Sequence, residues 1–223
     1  MAKTPNFARG VSPMKTRCLL LALGVCLAAA AAAEAFDTIK TTSATITCKI
    51  TGVSWKEITY ERNGVAGSAP VNEVVMVHFE DDPTSMNRAR ASLIKRMYNE
   101  ALESLEKVDP AEIDNEWVMQ DLEFYKALCA AELALGGTGD VTEAGKAMAT
   151  FAGKNTNSYH FFQACEVVGD LLVAVGKFSA AETYYKRVAD APWPDFQMRS
   201  RVSMGMALLA QNTAEKTAQA EQM

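Results

Sequence analysis

The sequence predicts an α+β fold in which a short β-sheet or SH3-like barrel module precedes an all-α array of helical hairpins. Three observations predict it: apolar residues alternate with polar ones after residue 36, the spacing becomes helical near residue 84, and one helical-hairpin motif then recurs. With 49% hydrophobic and 22% charged residues, the composition is typical of globular proteins and excludes the collagen-like and intrinsically disordered classes.

Residues 1–35 are predicted to be a signal peptide. A basic segment precedes a 16-residue apolar run, 18–33, and an A-x-A cleavage sequence ends at Ala35. Because a membrane-spanning helix needs roughly 20 apolar residues, we expect cleavage, with no stable membrane span in the mature chain. The expected location is therefore the periplasm or the extracellular space. Both Met1 and Met14 are compatible with this signal as the translation start.

The charge of the expected mature chain argues against nucleic-acid and anionic-membrane partners. Without residues 1–35 the chain has 18 basic and 26 acidic residues, a net charge of −8. Binding to nucleic acids or anionic membranes depends on clustered cations, so an acidic chain is poorly suited to either partner.

Three cysteines remain in the expected mature chain, Cys48, Cys129 and Cys165. An odd and low number does not describe a disulfide framework. All three fall on predicted apolar faces, which favours buried thiols. A single disulfide between Cys129 and Cys165 stays open as an alternative.

Residues 36–83 are predicted to form a small β module of four or five short strands. Strands are predicted at 44–50, 58–60, 71 and 74–79. In the first of them every second residue is apolar, and Gly52 is expected to end it. Asn63-Gly64 accepts the positive φ angles of a tight hairpin turn. So small a core is marginal alone and is expected to lean on the following helices.

Residues 84–223 are predicted to be helical throughout. The boundary is placed at 80–84 because Pro83 is tolerated at a helix start but blocks a central strand. Turn-forming residues then divide the chain into about seven helices, and they lie at 109–110, 136–139, 153–157, 176–177 and 192–194.

A helical-hairpin motif is clearest around residues 165–192. Gly169 is expected to let the first helix approach the second, and Gly176 to turn the chain between them. Ala181 then admits the returning helix while Phe178 and Tyr185 fill the gap. The equivalent positions in four copies, 43, 37 and 36 residues apart, are Tyr98, Val141, Phe178 and Ala214. The longer first interval predicts a longer first helix in the second copy.

This motif resembles the tetratricopeptide repeat (TPR), which pairs a Leu-Gly first helix with an Ala-x3-Phe second helix and a closing proline. The resemblance covers roughly residues 84–212, although Arg96 stands where the first copy would have its turn glycine. It implies a concave groove, lined by the first helices, that binds a peptide or a partner's helix. Carried onto this sequence, the groove-facing polar residues are Lys126, Gln163, Glu166, Asp170 and Arg199. A helical bundle without repeats is the alternative.

The sequence contains no recognisable catalytic or metal-binding motif, and no cofactor is expected. His78 is interpreted as an exposed strand residue. His160 is expected at a helix start, capped by Ser158 or Asn157, and its spacing from Cys165 does not suit a metal site. The acidic pairs Asp121/Glu123 and Glu166/Asp170 are interpreted as solvated helix faces.

We therefore expect an exported, non-enzymatic interaction scaffold. The alternatives are an accessory subunit or enzyme acting on cell-envelope polysaccharide, and a signal-anchored envelope assembly factor. The polysaccharide enzyme would need a carboxylate pair of raised pKa in a cleft.

Overall fold

The computed structural model describes residues 36–222, which belong to one compact unit. The predicted signal peptide lies outside the described residues. The predicted α+β fold is confirmed, because a five-stranded antiparallel sheet is followed by eight α-helices. The last strand ends at His78 and the first helix begins at Thr84, so the predicted boundary at 80–84 is correct.

The sheet has the spatial order β4-β3-β2-β1-β5. Its strands are β1 (Asp37–Thr41), β2 (Thr45–Val53), β3 (Glu57–Arg62), β4 (Val65–Pro70) and β5 (Val74–His78). The predicted turn between β3 and β4 is confirmed, since Asn63 and Gly64 have φ angles of 53° and 76°. The alternation in β2 is also confirmed, because Cys48 and Ile50 are buried while Thr47 and Lys49 are exposed.

Three details of the sheet differ from the prediction. Strands β1 and β4 were not expected, because Ile39 is the only large apolar residue of β1 and β4 contains glycine and proline, which strands disfavour. Val71 lies in a 3-10 helix, Val71–Glu73, rather than in a strand. Gly52 does not end β2. It lies where the register with β3 shifts, which is the usual meaning of a glycine inside a strand.

The helices form four successive hairpins. They are α1 (Thr84–Ile94), α2 (Tyr98–Glu106), α3 (Glu116–Leu135), α4 (Val141–Lys154), α5 (Phe161–Ala174), α6 (Phe178–Ala189), α7 (Pro194–Leu209) and α8 (Ala214–Ala220). The described residues contain eight α-helices instead of about seven, because the chain also turns at 95–97 and at 210–213, where no glycine or proline signals a break. A second 3-10 helix, Pro110–Glu112, precedes α3. The predicted longer first helix of the second copy is α3, with 20 residues.

Each hairpin turns through a residue with positive φ two positions before its second helix. These residues and their φ angles are Arg96 (57°), Gly139 (131°), Gly176 (72°) and Asn212 (50°). Arg96 thus adopts the left-handed conformation that the glycine adopts in the third copy. The four positions assigned to the repeat are the first residues of α2, α4, α6 and α8.

Consecutive helices pack against each other, and the first helices α3, α5 and α7 also pack side by side. Gly169 of α5 meets the ring of Tyr185 of α6 so closely that a Cβ atom at residue 169 would overlap that ring. This is the close approach expected of Gly169. The Tyr185 hydroxyl then donates a hydrogen bond of 2.7 Å to Asp170.

The sheet and the helices share their cores. The apolar face of the sheet encloses Val118 of α3 and Tyr159, which precedes α5, and Trp193 packs against the same cluster. Met76 of β5 is buried among the helices, where Tyr125 of α3 donates a hydrogen bond to its sulfur at 3.2 Å. The small β module therefore packs against the N-terminal ends of the first helices, because a sheet of this size buries too little apolar surface to be stable alone.

Candidate functional site

A concave groove runs between the edge strand β5 and the first helices. Its β5 lobe, a cavity of about 530 Å³, is bounded by β5, the end of α1, α3 and the start of α7. Its α5–α7 lobe, about 400 Å³, is bounded by the C-terminal part of α3, by α5 and by α7. Glu132, Gln163 and Arg199 line both lobes, so the two form one continuous groove.

Four of the five predicted groove residues lie together in this groove. Gln163, Glu166 and Asp170 project from α5, and Arg199 projects from the adjacent α7. The Nε atom of Arg199 donates to Glu166 at 2.9 Å, and a second guanidinium nitrogen donates to the other carboxylate oxygen. The guanidinium also lies over the ring of Phe196, 4.6 Å from its centroid. Neighbouring first helices are therefore linked across the groove wall by a bidentate ion pair.

Lys126 does not lie in the groove, and this assignment is wrong. It lines a separate depression between α3 and α4, beside Glu143 and Lys146. On α3 the residues that face the groove are Phe124, Leu128 and Glu132. Because successive helical residues are rotated by about 100°, Lys126 points away from the face shared by residues 124 and 128.

Exposed apolar side chains line the groove, and sequence analysis did not single them out. Val75 and Ile94 lie in the β5 lobe and are 48% and 55% exposed, while Met198 and Val202 lie in the α5–α7 lobe and are 58% and 59% exposed. The four-residue spacing of Met198 and Val202 is a visible helical signal, but such a stripe normally marks a core face. The sequence alone thus assigns them to the interior.

Three carboxylates and one guanidinium line the α5–α7 lobe, from Glu132, Glu166, Asp170 and Arg199. Arg199 is engaged by Glu166, and burial lowers the pKa of its guanidinium. Burial also raises the pKa of the Asp170 carboxyl, and the hydrogen bond from Tyr185 only partly offsets this effect. The lobe is therefore acidic, with Glu132 and Asp170 free of salt bridges to other described residues.

A buried polar cluster lies behind the floor of the β5 lobe. Arg90 of α1 is fully buried and donates to Asp82, which follows the sheet, and to Asp121 of α3 at 2.6 Å. The other oxygen of Asp121 accepts hydrogen bonds from the Tyr159 hydroxyl at 2.7 Å and from His160 Nε2 at 2.9 Å. The imidazole of His160 is stacked between the rings of Phe124 and Tyr159 at 3.8 Å.

This cluster overturns two expectations. Asp121 is not part of a solvated face, because it is fully buried, whereas its predicted companion Glu123 is partly exposed and pairs with Lys154. His160 does precede α5, but neither Ser158 nor Asn157 caps that helix with its side chain. Asp121 pairs with Arg90, 31 residues before it, and with His160, 39 residues after it. Partners this distant in sequence leave no local signal.

The protonation states in the cluster follow from burial and pairing. Burial lowers the pKa of His160 more than the hydrogen bond to Asp121 raises it, so the imidazole is neutral at pH 7. Burial alone would raise the pKa of Asp121, but His160 and Arg90 together lower it. In this cluster the Arg90 guanidinium is therefore shared between Asp82 and Asp121, and the neutral imidazole of His160 donates to Asp121.

The remaining candidate groups are structural. His78 is partly buried, and its Nδ1 lies 2.9 Å from the Asn87 amide oxygen. Cys48, Cys129 and Cys165 are all buried and free, so the alternative of a Cys129–Cys165 disulfide is not supported. Burial raises the pKa of these thiols to about 11, 12 and 11, which makes them weak nucleophiles.

The described part of the chain shows neither a metal-binding cluster nor a membrane-spanning helix. Within residues 36–222 no group of three or more His, Cys, Asp or Glu side chains is placed to hold a metal ion. Over the same range, none of the helices combines the length and apolarity that a transmembrane span requires. Comparison with protein-family models, curated proteins and solved structures found no match to this chain.

Proposed function

We propose that this protein is an exported, non-enzymatic scaffold that binds another protein or a peptide in the concave groove. The observation that carries the proposal is the exposure of Val75, Ile94, Met198 and Val202 along one continuous groove. Exposed apolar side chains gathered in one groove favour an interaction site, because covering them removes apolar area from water. The resemblance of the hairpin motif to TPR repeats points to the same concave face.

The chemistry of the groove supports binding rather than catalysis. A glycosidase-like site would need one carboxyl group that donates a proton and a second that acts as base or nucleophile, both free to reach a substrate. Glu166 is held by Arg199 in two hydrogen bonds, and Asp170 accepts the Tyr185 hydroxyl. The histidine–carboxylate pair of His160 and Asp121 is enclosed, with His160 only 4% exposed. Glu166, Asp121 and His160 therefore hold elements of the fold together, while Asp170 is bonded to α6 through one carboxylate oxygen and still lines the groove.

Site-specific photocrosslinking in the producing cells tests the proposal. A photoreactive phenylalanine derivative is introduced in place of Met198 or Val202, and at Lys146 of α4 as the control. Lys146 is exposed but lies outside the groove. A discrete covalent adduct from Met198 and Val202, and none from Lys146, is the expected result. Equal adducts from all three positions, or adducts from Lys146 alone, would contradict it.

A double variant tests the same surface without a crosslinker. Glu166→Ala with Arg199→Ala removes both partners of the ion pair across the groove wall. No unpaired charge is left behind, but the Glu166 side chain is only 12% exposed, so we expect a loss of about 1 kcal/mol with the fold retained. Capture of the crosslinked partner should fall, because charged interface groups fix register. A normally folded double variant with full capture would move attention to Trp55, which is 37% exposed on the β module.

A further inference from the structure

We propose that the groove selects a linear segment of its partner in which a large apolar residue lies next to a lysine or arginine. This inference rests on the proposed function and adds the chemistry of the partner. Two properties of the α5–α7 lobe carry it: exposed apolar side chains on α7, and an excess of carboxylates on α3 and α5.

The apolar requirement follows from the side chains that line the lobe. Met198 and Val202 lie one helical turn apart on α7 and are more than half exposed. A partner side chain such as leucine or phenylalanine placed over them would remove apolar surface from water on both molecules. Methionine is unbranched and adapts its shape, so the lobe is suited to several apolar side chains rather than to one.

The basic requirement follows from the charges. Glu166 already neutralises Arg199, which leaves Glu132 and Asp170 in the α5–α7 lobe without a salt bridge to another described residue. Glu132 shares the β5 lobe with Arg96, so the excess of negative charge is confined to the α5–α7 lobe. A lysine or arginine of the partner would find two carboxylates there. An acidic or phosphorylated segment would place like charges against the same residues and be repelled. The expected mature chain also carries a net charge of −8, which steers basic partners toward it.

The test uses a phage-displayed library of random dodecapeptides, selected at pH 7 on the protein as recovered from cells that produce the full chain. Enriched sequences should place lysine or arginine within a few residues of a large apolar residue, and aspartate and glutamate should be depleted. A synthetic copy of the most enriched peptide should bind about tenfold more tightly than the same peptide with its basic residues changed to glutamate, which corresponds to about 1.4 kcal/mol.

Matched variants test whether Glu132 and Asp170 cause the preference for basic peptides. Glu132→Gln with Asp170→Asn removes two charges from the lobe while keeping the hydrogen-bond acceptor that Tyr185 uses, and we expect the tenfold preference to fall to about twofold. Glu103→Gln with Glu143→Gln makes the same charge change at exposed positions of α2 and α4 and should leave the preference intact.

The apolar part has a control on the same helix. Met198→Ser with Val202→Ser should abolish binding of the enriched peptide. Met206→Ser removes another exposed methionine of α7 that does not line the lobe, and it should leave binding unchanged.

The outcomes separate this inference from the proposed function. Selection of acidic peptides, or of peptides without charge preference, would overturn the inference, and so would self-association of the protein through Met198 and Val202 in place of peptide binding. If crosslinks from Met198 still capture a partner in cells, the proposed function survives that result. If those crosslinks fail as well, both proposals are overturned.

Discussion

The α5–α6 and α7–α8 hairpins share one plan in sequence and differ in packing. Gly169 and Gly205 occupy equivalent positions, as do the turn residues Gly176 and Asn212. Gly169 is covered by the Tyr185 ring, whereas a Cβ at Gly205 would meet open space. The reason lies in the second helices, because α6 buries Ala181, Tyr185 and Val188 while α8 buries no residue.

The difference shows that motif spacing determines where a helical hairpin turns. It does not ensure that the two helices pack tightly against each other. In the α5–α6 hairpin the Tyr185 ring on the second helix fills the space that the glycine leaves. In the α7–α8 hairpin, α8 supplies no such ring and buries none of its residues. In the described residues the α7–α8 hairpin packs against α5–α6 on one side. Here α8 is polar and the groove side of α7 is apolar.

The largest expected effect comes from the buried polar cluster, which joins α1 and α3 to the residue that precedes α5. Arg90→Met leaves Asp82 and Asp121 buried without their counter-charge, so we expect a loss of about 3–5 kcal/mol in the free energy of unfolding. Urea denaturation followed by circular dichroism measures it. Arg88→Met, at an exposed arginine of the same helix, is the control and should change stability by no more than about 0.5 kcal/mol. A loss of similar size in both variants would contradict the assignment.

The glycine pair tests the comparison directly. Gly169→Ala forces a methyl group into the Tyr185 ring, with an expected cost of about 1–3 kcal/mol. Gly205→Ala meets no neighbour and should instead stabilise α7 by about 0.5–1 kcal/mol, because glycine inside a helix is entropically unfavourable. Thermal melts of the two variants should therefore shift in opposite directions. Shifts of equal sign would mean that the two hairpins pack alike.

The buried histidine makes the stability of the α3–α5 region depend on pH. Because burial lowers the pKa of His160 in the folded chain below its usual 6.5, the unfolded chain binds more protons between these two values. The free energy of unfolding therefore falls as pH decreases below about 6.5, by at most about 1.4 kcal/mol per pH unit. Asp121 adds a loss of the same sign below about pH 4, since its folded pKa is lowered.

Replacement of the two histidines isolates this effect. His160→Gln should remove the slope just below pH 6.5 in denaturation midpoints measured as a function of pH, while its amide still donates to Asp121. His78→Gln, the control, replaces the other histidine of the chain and should keep the slope. An unchanged slope in His160→Gln would show that another group is responsible.

The smallest expected effect lies in the turns. Gly176 has a φ of 72°, so Gly176→Ala should cost about 1 kcal/mol. Asn212→Gly should change stability by less than about 0.5 kcal/mol, because asparagine tolerates the left-handed region. Differential scanning calorimetry checks both. A larger gain from Asn212→Gly than the loss from Gly176→Ala would indicate that strain in the last turn, rather than missing packing, weakens the α7–α8 hairpin.

The sequence by itself determined the features that depend on neighbours along the chain. The alternation in β2, the Asn63-Gly64 turn, the change to helices near Pro83 and the starts of the second helices all follow from residues a few positions apart. The hairpin register also placed Gln163, Glu166, Asp170 and Arg199 on one face correctly. These patterns are local because backbone hydrogen bonds and side-chain periodicity act over one or two turns.

Only the tertiary structure decided which side chains are buried together. Asp121 is an ordinary acidic residue in sequence, and its burial depends on Arg90, Tyr159 and His160 arriving from distant elements. Lys126 was misplaced because a motif predicts a hairpin's spacing more accurately than the rotation of a 20-residue helix about its axis. Val202 is exposed because it faces the α5–α7 lobe instead of a packed neighbour. Burial depends on which distant elements pack together, so it cannot be predicted from a short segment of the sequence.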